Sequence, residues 1–342
     1  MMTSNPKYVW ACVVCVILLV LMIGALYRAF KLQYVGPKDV GGAVEGFADI
    51  KYPWLRVESL EKIQSLYHRI EVIDTKQADL GKCLLLNDEI QLCSGEQVKY
   101  HELIVHFGAQ YLPGATPKNV LIIGGGDCMV LREVMKYPGI AKVTVLELDD
   151  MVTRVSEKHF AVDRYAKDAR VTWMFGNVRA NVKKLRAAGS STYDFIISDT
   201  TETTDHNAET DTTAFFTDLR DLLTSDGVFA KNGDGSAALM KSTFSFTMVY
   251  GYDSKTHASR YSFTLGSGFD FKQRIVTTGV WFAHNVHTDV YNPDRHFEYL
   301  AWTETFRQTV LDRIVTDDVP RMVVTQENTK YPEYPEYPEY PR

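Results

Sequence analysis

The chain has 342 residues, 45% of them hydrophobic and 23% charged, enough for one sizeable core or for one domain with a small companion. Its formal net charge of −6 and its lack of clustered Lys and Arg argue against a nucleic-acid footprint. Of the five cysteines, Cys12 and Cys15 lie in an apolar run and Cys83, Cys93 and Cys128 are scattered, so no metal spacing or disulfide framework is visible.

From Tyr8 to Tyr27 the chain carries no charge, and it is long enough to cross a bilayer core of roughly 30 Å as a helix. Tyr8, Trp10 and Tyr27 stand at its ends, where aromatic rings favour the interface. The segment 8–30 is therefore expected to be a single-pass transmembrane helix. Arg28, Lys31 and Lys38 follow it, and only Lys7 precedes it, which places the globular part on the cytosolic side. Residues 31–53 are glycine-containing and aperiodic, as in a linker.

The segment 54–98 holds short alternating runs with a turn at Asn87-Asp88 and predicts a small antiparallel β-domain. In the domain expected over 99–314, apolar strands alternate with helices from Tyr100 to about Lys231, and the stretch from Leu239 to Leu311 is mixed. "NVLIIG" (119–124), "KVTVLELD" (142–149), "RVTWMFG" (170–176), "YDFIISD" (193–199) and "GVFAK" (227–231) are the strands. This order predicts an α/β, Rossmann-like, mostly parallel sheet whose ligands bind at the carboxyl ends of the strands. Those ends carry Gly124–Asp127, Glu147, Gly176–Asn177 and Asp199. The tail, 315–342, ends in a Tyr-Pro-Glu repeat that should be extended and solvated.

Gly124, Gly125 and Gly126 let backbone approach a ligand closely, but the spacing of a dinucleotide fingerprint and the Lys of a phosphate loop are missing. Glu147, one βαβ step on, suits a ribose diol. Asp127, at the helix start, can act as an N-cap. It also repels pyrophosphate and attracts an ammonium or a sulfonium. Asp127 thus turns the expected ligand towards a cationic, phosphate-free nucleoside of the S-adenosylmethionine class. Asp199 and Glu202, with Glu96 and Glu102 flanking Tyr100, are expected to line an acidic mouth.

The motifs "LLLNDEIQLCSGEQVKYHELIVH", "KNVLIIGGGDCMVLREVMKYP", "VTVLELD", "YDFIISDTTE" and "VYNPDRHFEYLAWTETF" stand in the order found in the polyamine aminopropyltransferases, the spermidine synthase family, which the chain resembles from Leu55 to Asp312. The resemblance implies a small β-domain followed by a methyltransferase-like domain. It implies transfer of an aminopropyl group from decarboxylated S-adenosylmethionine to an amine such as putrescine, with release of methylthioadenosine and without a metal. Self-association, as a homodimer, is a further implication.

By the same resemblance, Asp127 holds the aminopropyl end of the donor, Glu147 the ribose and Asn177 the adenine, with Gly124, Gly125, Gly126 and Gln91 completing the donor site. Asp199 accepts the proton of the attacking amine and Tyr100 helps to hold it. Glu96, Gln97, Glu202, Asn232 and His68 fall on the substrate side. The chain departs from the family pattern at Gln97, Asn177, Glu202, Asn232 and His68, each polar but altered in length or charge. His257 aligns loosely with a family tyrosine, and Cys128-Met129 replaces a glycine pair. Two readings follow: an active enzyme with a shifted acceptor, or an inactive relative with a membrane-bound structural role. A methyltransferase using S-adenosylmethionine itself is a third, disfavoured by Asp127.

Overall fold

In the computed structural model, residues 57–189, 193–200, 210–233, 237–253, 260–274 and 286–300 are described. The expected membrane segment, the linker, the Tyr-Pro-Glu tail, Glu202 and His257 lie outside them. Among the described residues no helix is long and apolar enough to cross a membrane.

Four strands form a small antiparallel sheet in sequence order: β1 (Glu58–Gln64), β2 (Arg69–Asp74), β3 (Lys82–Leu86) and β4 (Glu89–Cys93). Asn87 and Asp88 join β3 to β4 with φ of 51° and 71°, a tight turn whose left-handed backbone Asn and Asp tolerate better than most residues. The turn sets Cys83 directly opposite Cys93, and the two form a disulfide. This corrects the expectation of no disulfide: spacing carried no signal, but hairpin register brought the thiols together. Ile70, Val72, Leu84 and Leu92 pack into the main core, while Ile73, Leu80, Leu85 and the two cysteines form a smaller cluster. Strand side chains alternate between faces, so one short sheet serves both.

Helix α1 (Gln97–Glu102) runs without a break into a π-helical turn, Leu103–Phe107, and leads to β5 (Asn119–Gly124). There follow α2 (Met129–Val134), β6 (Lys142–Glu147), α3 (Asp150–His159), α4 (Asp163–Ala166), β7 (Val171–Phe175), α5 (Val178–Ala187) and β8 (Tyr193–Asp199). Then come α6 (Thr213–Arg220), β9 (Leu223–Asn232), α7 (Ala237–Thr243), β10 (Phe246–Asp253) and β11 (Arg260–Ser267). The seven strands order as β10-β11-β9-β8-β5-β6-β7. β5 to β9 are parallel, and β10 and β11 are antiparallel.

The continuous apolar strands are explained by two-sided burial. Val120 and Ile122 of β5 face the core that holds Leu103, Val105 and Phe107, whereas Leu121 and Ile123 face Val182, Phe215 and Leu219 of α5 and α6. The chain order reverses at β5, between β8 and β6, which opens a crevice at the carboxyl ends of these strands. Alkylation under denaturing but non-reducing conditions should label Cys128 and leave Cys83 and Cys93 unmodified, as read by peptide mass spectrometry; labelling of all three would remove the cross-strand bond.

Candidate active site

The site is built on the turn after β5. Gly124 and Gly125 have φ of 75° and 71°, which a side chain would strain. A Cβ on Gly124 would lie 2.3 Å from the Asp199 carbonyl, and one on Gly126 would lie 2.8 Å from the Glu147 carboxyl. Glycine is thus required for β8 and β6 to approach the turn. Gly125 N–H donates to the Asp199 carbonyl at 3.2 Å, and Gly126 N–H donates to Glu147 Oε2 at 3.0 Å.

Glu147 is buried at the end of β6, and its Oε1 accepts from the Asp149 N–H at 2.9 Å. Burial is the main cause that raises its pKa to about 7, and the two backbone bonds only partly oppose it. Asp127 Oδ1 accepts from the Met129 N–H at 2.8 Å, which holds the turn ahead of α2, although the N-cap position itself is Cys128. Its other oxygen lies 3.9 Å from His101 Nε2. Asp199 Oδ2 lies 4.0 Å from the same nitrogen, and Asp199 Oδ1 accepts from the Tyr100 hydroxyl at 2.6 Å. Enclosure raises both aspartates to about 6, and for Asp199 the Asp127 charge adds to it. Burial pushes the Tyr100 hydroxyl well up, so it stays a donor.

His101 is the residue that sequence reasoning passed over, although "YHE" contains it. Its Nδ1 lies 2.7 Å from the Gln97 carbonyl, an acceptor only, so Nδ1 carries the hydrogen and Nε2 presents a lone pair to the two aspartates. Burial lowers its pKa, which keeps that form neutral. His101, Asp127 and Asp199 have the donor types of a metal centre. Their ligand atoms lie within 4.8 Å of one another.

The remaining predicted residues divide. His68 Nδ1 lies 3.0 Å from Asp149 Oδ2, near Glu147. Gln97 is buried, and its Oε1 accepts from Arg132 Nη2 at 2.9 Å. Arg132, also missed, stands one turn beyond Asp127. Asn177 follows Gly176 (φ 95°), and its Oδ1 caps α5 by accepting from the Ala180 N–H at 2.8 Å. Asn232 donates to the Thr200 carbonyl at 2.8 Å. Glu96 stands at the start of α1. Gln91 is exposed on β4 and bonds the Glu89 carbonyl at 3.1 Å, a local contact. Cys128 (φ 66°) and Met129 are both buried in the main core; the Cys128 thiol reaches the Gly126 carbonyl at 3.6 Å, and the Met129 sulfur accepts from Arg132 Nη1 at 3.1 Å.

Glu102 departs from the expectation of an acidic mouth. Its carboxylate turns inward, is fully buried and accepts the N–H groups of Asp289, Val290 and Tyr291 at 2.7, 2.8 and 2.7 Å. Helical spacing decides this: Tyr100 and Glu102, two apart on α1, cannot share a face. Behind them Glu133, fully buried on α2, accepts from Arg132 Nε at 2.9 Å and pairs with His106 and Lys136 at 2.9 and 2.6 Å. Burial works against its charge, but bonds from these partners hold its pKa down at about 2.

Residues 97–267 match the spermine/spermidine synthase domain. A polyamine aminopropyltransferase of Xanthomonas oryzae pv. oryzae is 31% identical over 223 residues, spanning 65% of this chain and 73% of that protein. One of Xanthomonas axonopodis pv. citri is 30% identical over the same shares. Among solved structures, a spermidine synthase in complex with the transition-state analogue AdoDATO superposes with a TM-score of 0.68 at 25% identity, covering 75% of this chain and 88% of that one. The spermidine synthase of Thermotoga maritima superposes with a TM-score of 0.66 at 25% identity over the same shares. The fold and its strand-end site define a transferase of the aminopropyltransferase class. The chain belongs to the spermine/spermidine synthase family, and its activity is of the spermidine synthase type.

Replacing Glu102 with Ala strands three amides and deprives Lys136 of a carboxylate 3.6 Å away. Urea unfolding should show a loss of about 3 kcal/mol or more. A loss below about 1 kcal/mol would remove the clasp as a stabilising element.

Proposed function

We propose that the chain transfers the aminopropyl group of decarboxylated S-adenosylmethionine to a polyamine such as putrescine, releasing methylthioadenosine. The observation that carries this reading is the approach of Asp127 and Asp199 to one His101 nitrogen, at 3.9 and 4.0 Å. Two carboxylates at one crevice match a donor bearing a sulfonium and an ammonium. They also match an acceptor that must lose a proton. A donor carboxylate, as in S-adenosylmethionine itself, would meet Asp127 with like charge.

In this reading Glu147 receives the ribose hydroxyls, with His68, Asp149 and Asn177 near the nucleoside and Gln91 at its outer edge. Asp127 draws the aminopropyl ammonium. The amine nitrogen attacks the methylene carbon attached to sulfur, the carbon–sulfur bond breaks and its electron pair leaves with methylthioadenosine. The departing amine proton passes to Asp199, whose raised pKa suits a general base. Tyr100 fixes the carboxylate by its hydroxyl, and Glu96, Gln97, Asn232 and Glu202 belong to the acceptor side. The donor is already activated, so positioning supplies much of the rate. Asp127, Tyr100 and Asp199, together in one crevice, support the active-enzyme reading over an inactive structural role.

The apolar run 8–30 supports a membrane-anchored enzyme, with residues 54–98 and 99–314 as the β-domain and the transferase domain and 315–342 as a tail. The Lys and Arg bias supports a cytosolic domain, whereas the Cys83–Cys93 bond favours an oxidising compartment. Protease protection in sealed vesicles separates the two.

Product analysis with putrescine and longer amines should yield methylthioadenosine in step with the aminopropylated amine, insensitive to chelators. Methyl transfer, or no turnover with any amine, would sink the reading. Asp199→Asn should lower turnover by about 10²–10⁴-fold while donor binding is retained. The same variant should unfold at a higher temperature than the unliganded parent at pH 8. A carboxyl whose folded pKa is raised costs stability above that pKa, and the difference should vanish as pH falls through about 6 towards the ordinary carboxylate range. Because Asp199 must be ionised to accept the proton, kcat should fall as pH drops through about 6. A flat profile from pH 5 to pH 8 would remove it as the base.

A further inference from the structure

A buried lysine stands behind the base. Lys231 lies near the end of β9, is 5% exposed and pairs in parallel register with Ser198, next to Asp199. Its Nζ reaches Thr200 Oγ1 at 3.3 Å and Asp211 Oδ1 at 3.6 Å. Thr200 directly follows the base, and Asp211 leads into α6, so one ammonium joins two points that are eleven residues apart in sequence. From the next position on β9, Asn232 donates to the Thr200 carbonyl at 2.8 Å. On the opposite side, Gly125 N–H holds the Asp199 carbonyl. The backbone that carries the base is therefore gripped from β9 and from the glycine turn.

Burying a lysine is costly, and an apolar residue would complete the strand more cheaply. Burial lowers the Lys231 pKa, with Asp211 and Asp199 acting against that fall. Asp199 is faced by Tyr100 and His101 from α1, by Asp127 from the glycine turn and by Lys231 from β9. Of these groups Lys231 is the strand cation.

We propose that Lys231 is a positioning residue for the transfer reaction: its ammonium, held between Thr200 Oγ1 and Asp211, fixes the side chain that follows Asp199 and places a positive charge behind the base. The proposal rests on the reading of Asp199 as the base.

The test is kcat against pH, from pH 5 to pH 9, for the full chain with decarboxylated S-adenosylmethionine and putrescine, in the parent and in Lys231→Met, Lys231→Arg and Asp199→Asn. Met keeps the length and loses the charge. Lys231→Met should lower kcat by about tenfold or more and shift the acid limb upward, by about half to one pH unit. Lys231→Arg, which keeps the charge, should leave the limb in place. Methylthioadenosine binding and thermal unfolding of each variant establish that the donor site is folded. A loss of kcat with an unmoved limb would make Lys231 a structural tether and overturn the proposal, as would parental kcat and limb in Lys231→Met. If Lys231→Met fails to fold, a limb shifted upward in Lys231→Arg would also overturn it. Turnover retained in Asp199→Asn would instead fault the assignment of the base.

Discussion

The structure depends on a turn with no side chains. β5 ends at Gly124, and the next two glycines leave room for the Asp199 carbonyl on one side and the Glu147 carboxyl on the other. A methyl group at Gly124 would fall 2.3 Å from the carbonyl oxygen, far inside van der Waals contact. The parallel register of β5 with β6 and with β8 brings Glu147 and Asp199 to the same height. Without that approach, the two hydrogen bonds from Gly125 and Gly126 could not form, and the carboxylates would stand at separate strand ends.

What gathers there is charge of one sign. Asp127, Glu147 and Asp199 are enclosed with few cations near them, and their pKa values rise to about 6, 7 and 6. An empty site of this kind costs folding stability once its acids ionise. A cationic ligand restores the balance, so affinity and stability are linked through the same charges. The same carboxylates repel anions such as pyrophosphate. Immediately behind it, Glu133 has the opposite character. His106, Lys136 and Arg132 surround it and hold it ionised. One carboxylate is neutralised where the π-helical turn packs on α2, and the others are left under-compensated.

Periodicity made much of this visible. The apolar strands from Asn119 onward, the Asn87-Asp88 turn and the strand-end rule point to the hairpin and to Asp127, Glu147 and Asp199 from the sequence alone. The same reading misplaced Glu102, which lies two residues from Tyr100 but on another face of α1, where it clasps the amides of residues 289–291. Cys83 and Cys93 looked unrelated because cross-strand register is not written in spacing. Cys128 and Met129, which replace a glycine pair, are both buried in the main core, a placement that sequence position alone does not show.

The sequence by itself determined the alternation of strands and helices, the glycine turn, the strand-end acids and the family. These follow from local propensity, from burial of both sheet faces and from motifs short enough to be read in one pass. Only the tertiary structure decided that His101 Nε2 faces two aspartates, that Lys231 joins Thr200 to Asp211 and that Glu102 turns inward. Each of those contacts joins different elements of the fold. Its distance is set by sheet order and helix rotation, quantities that no single segment of the chain encodes.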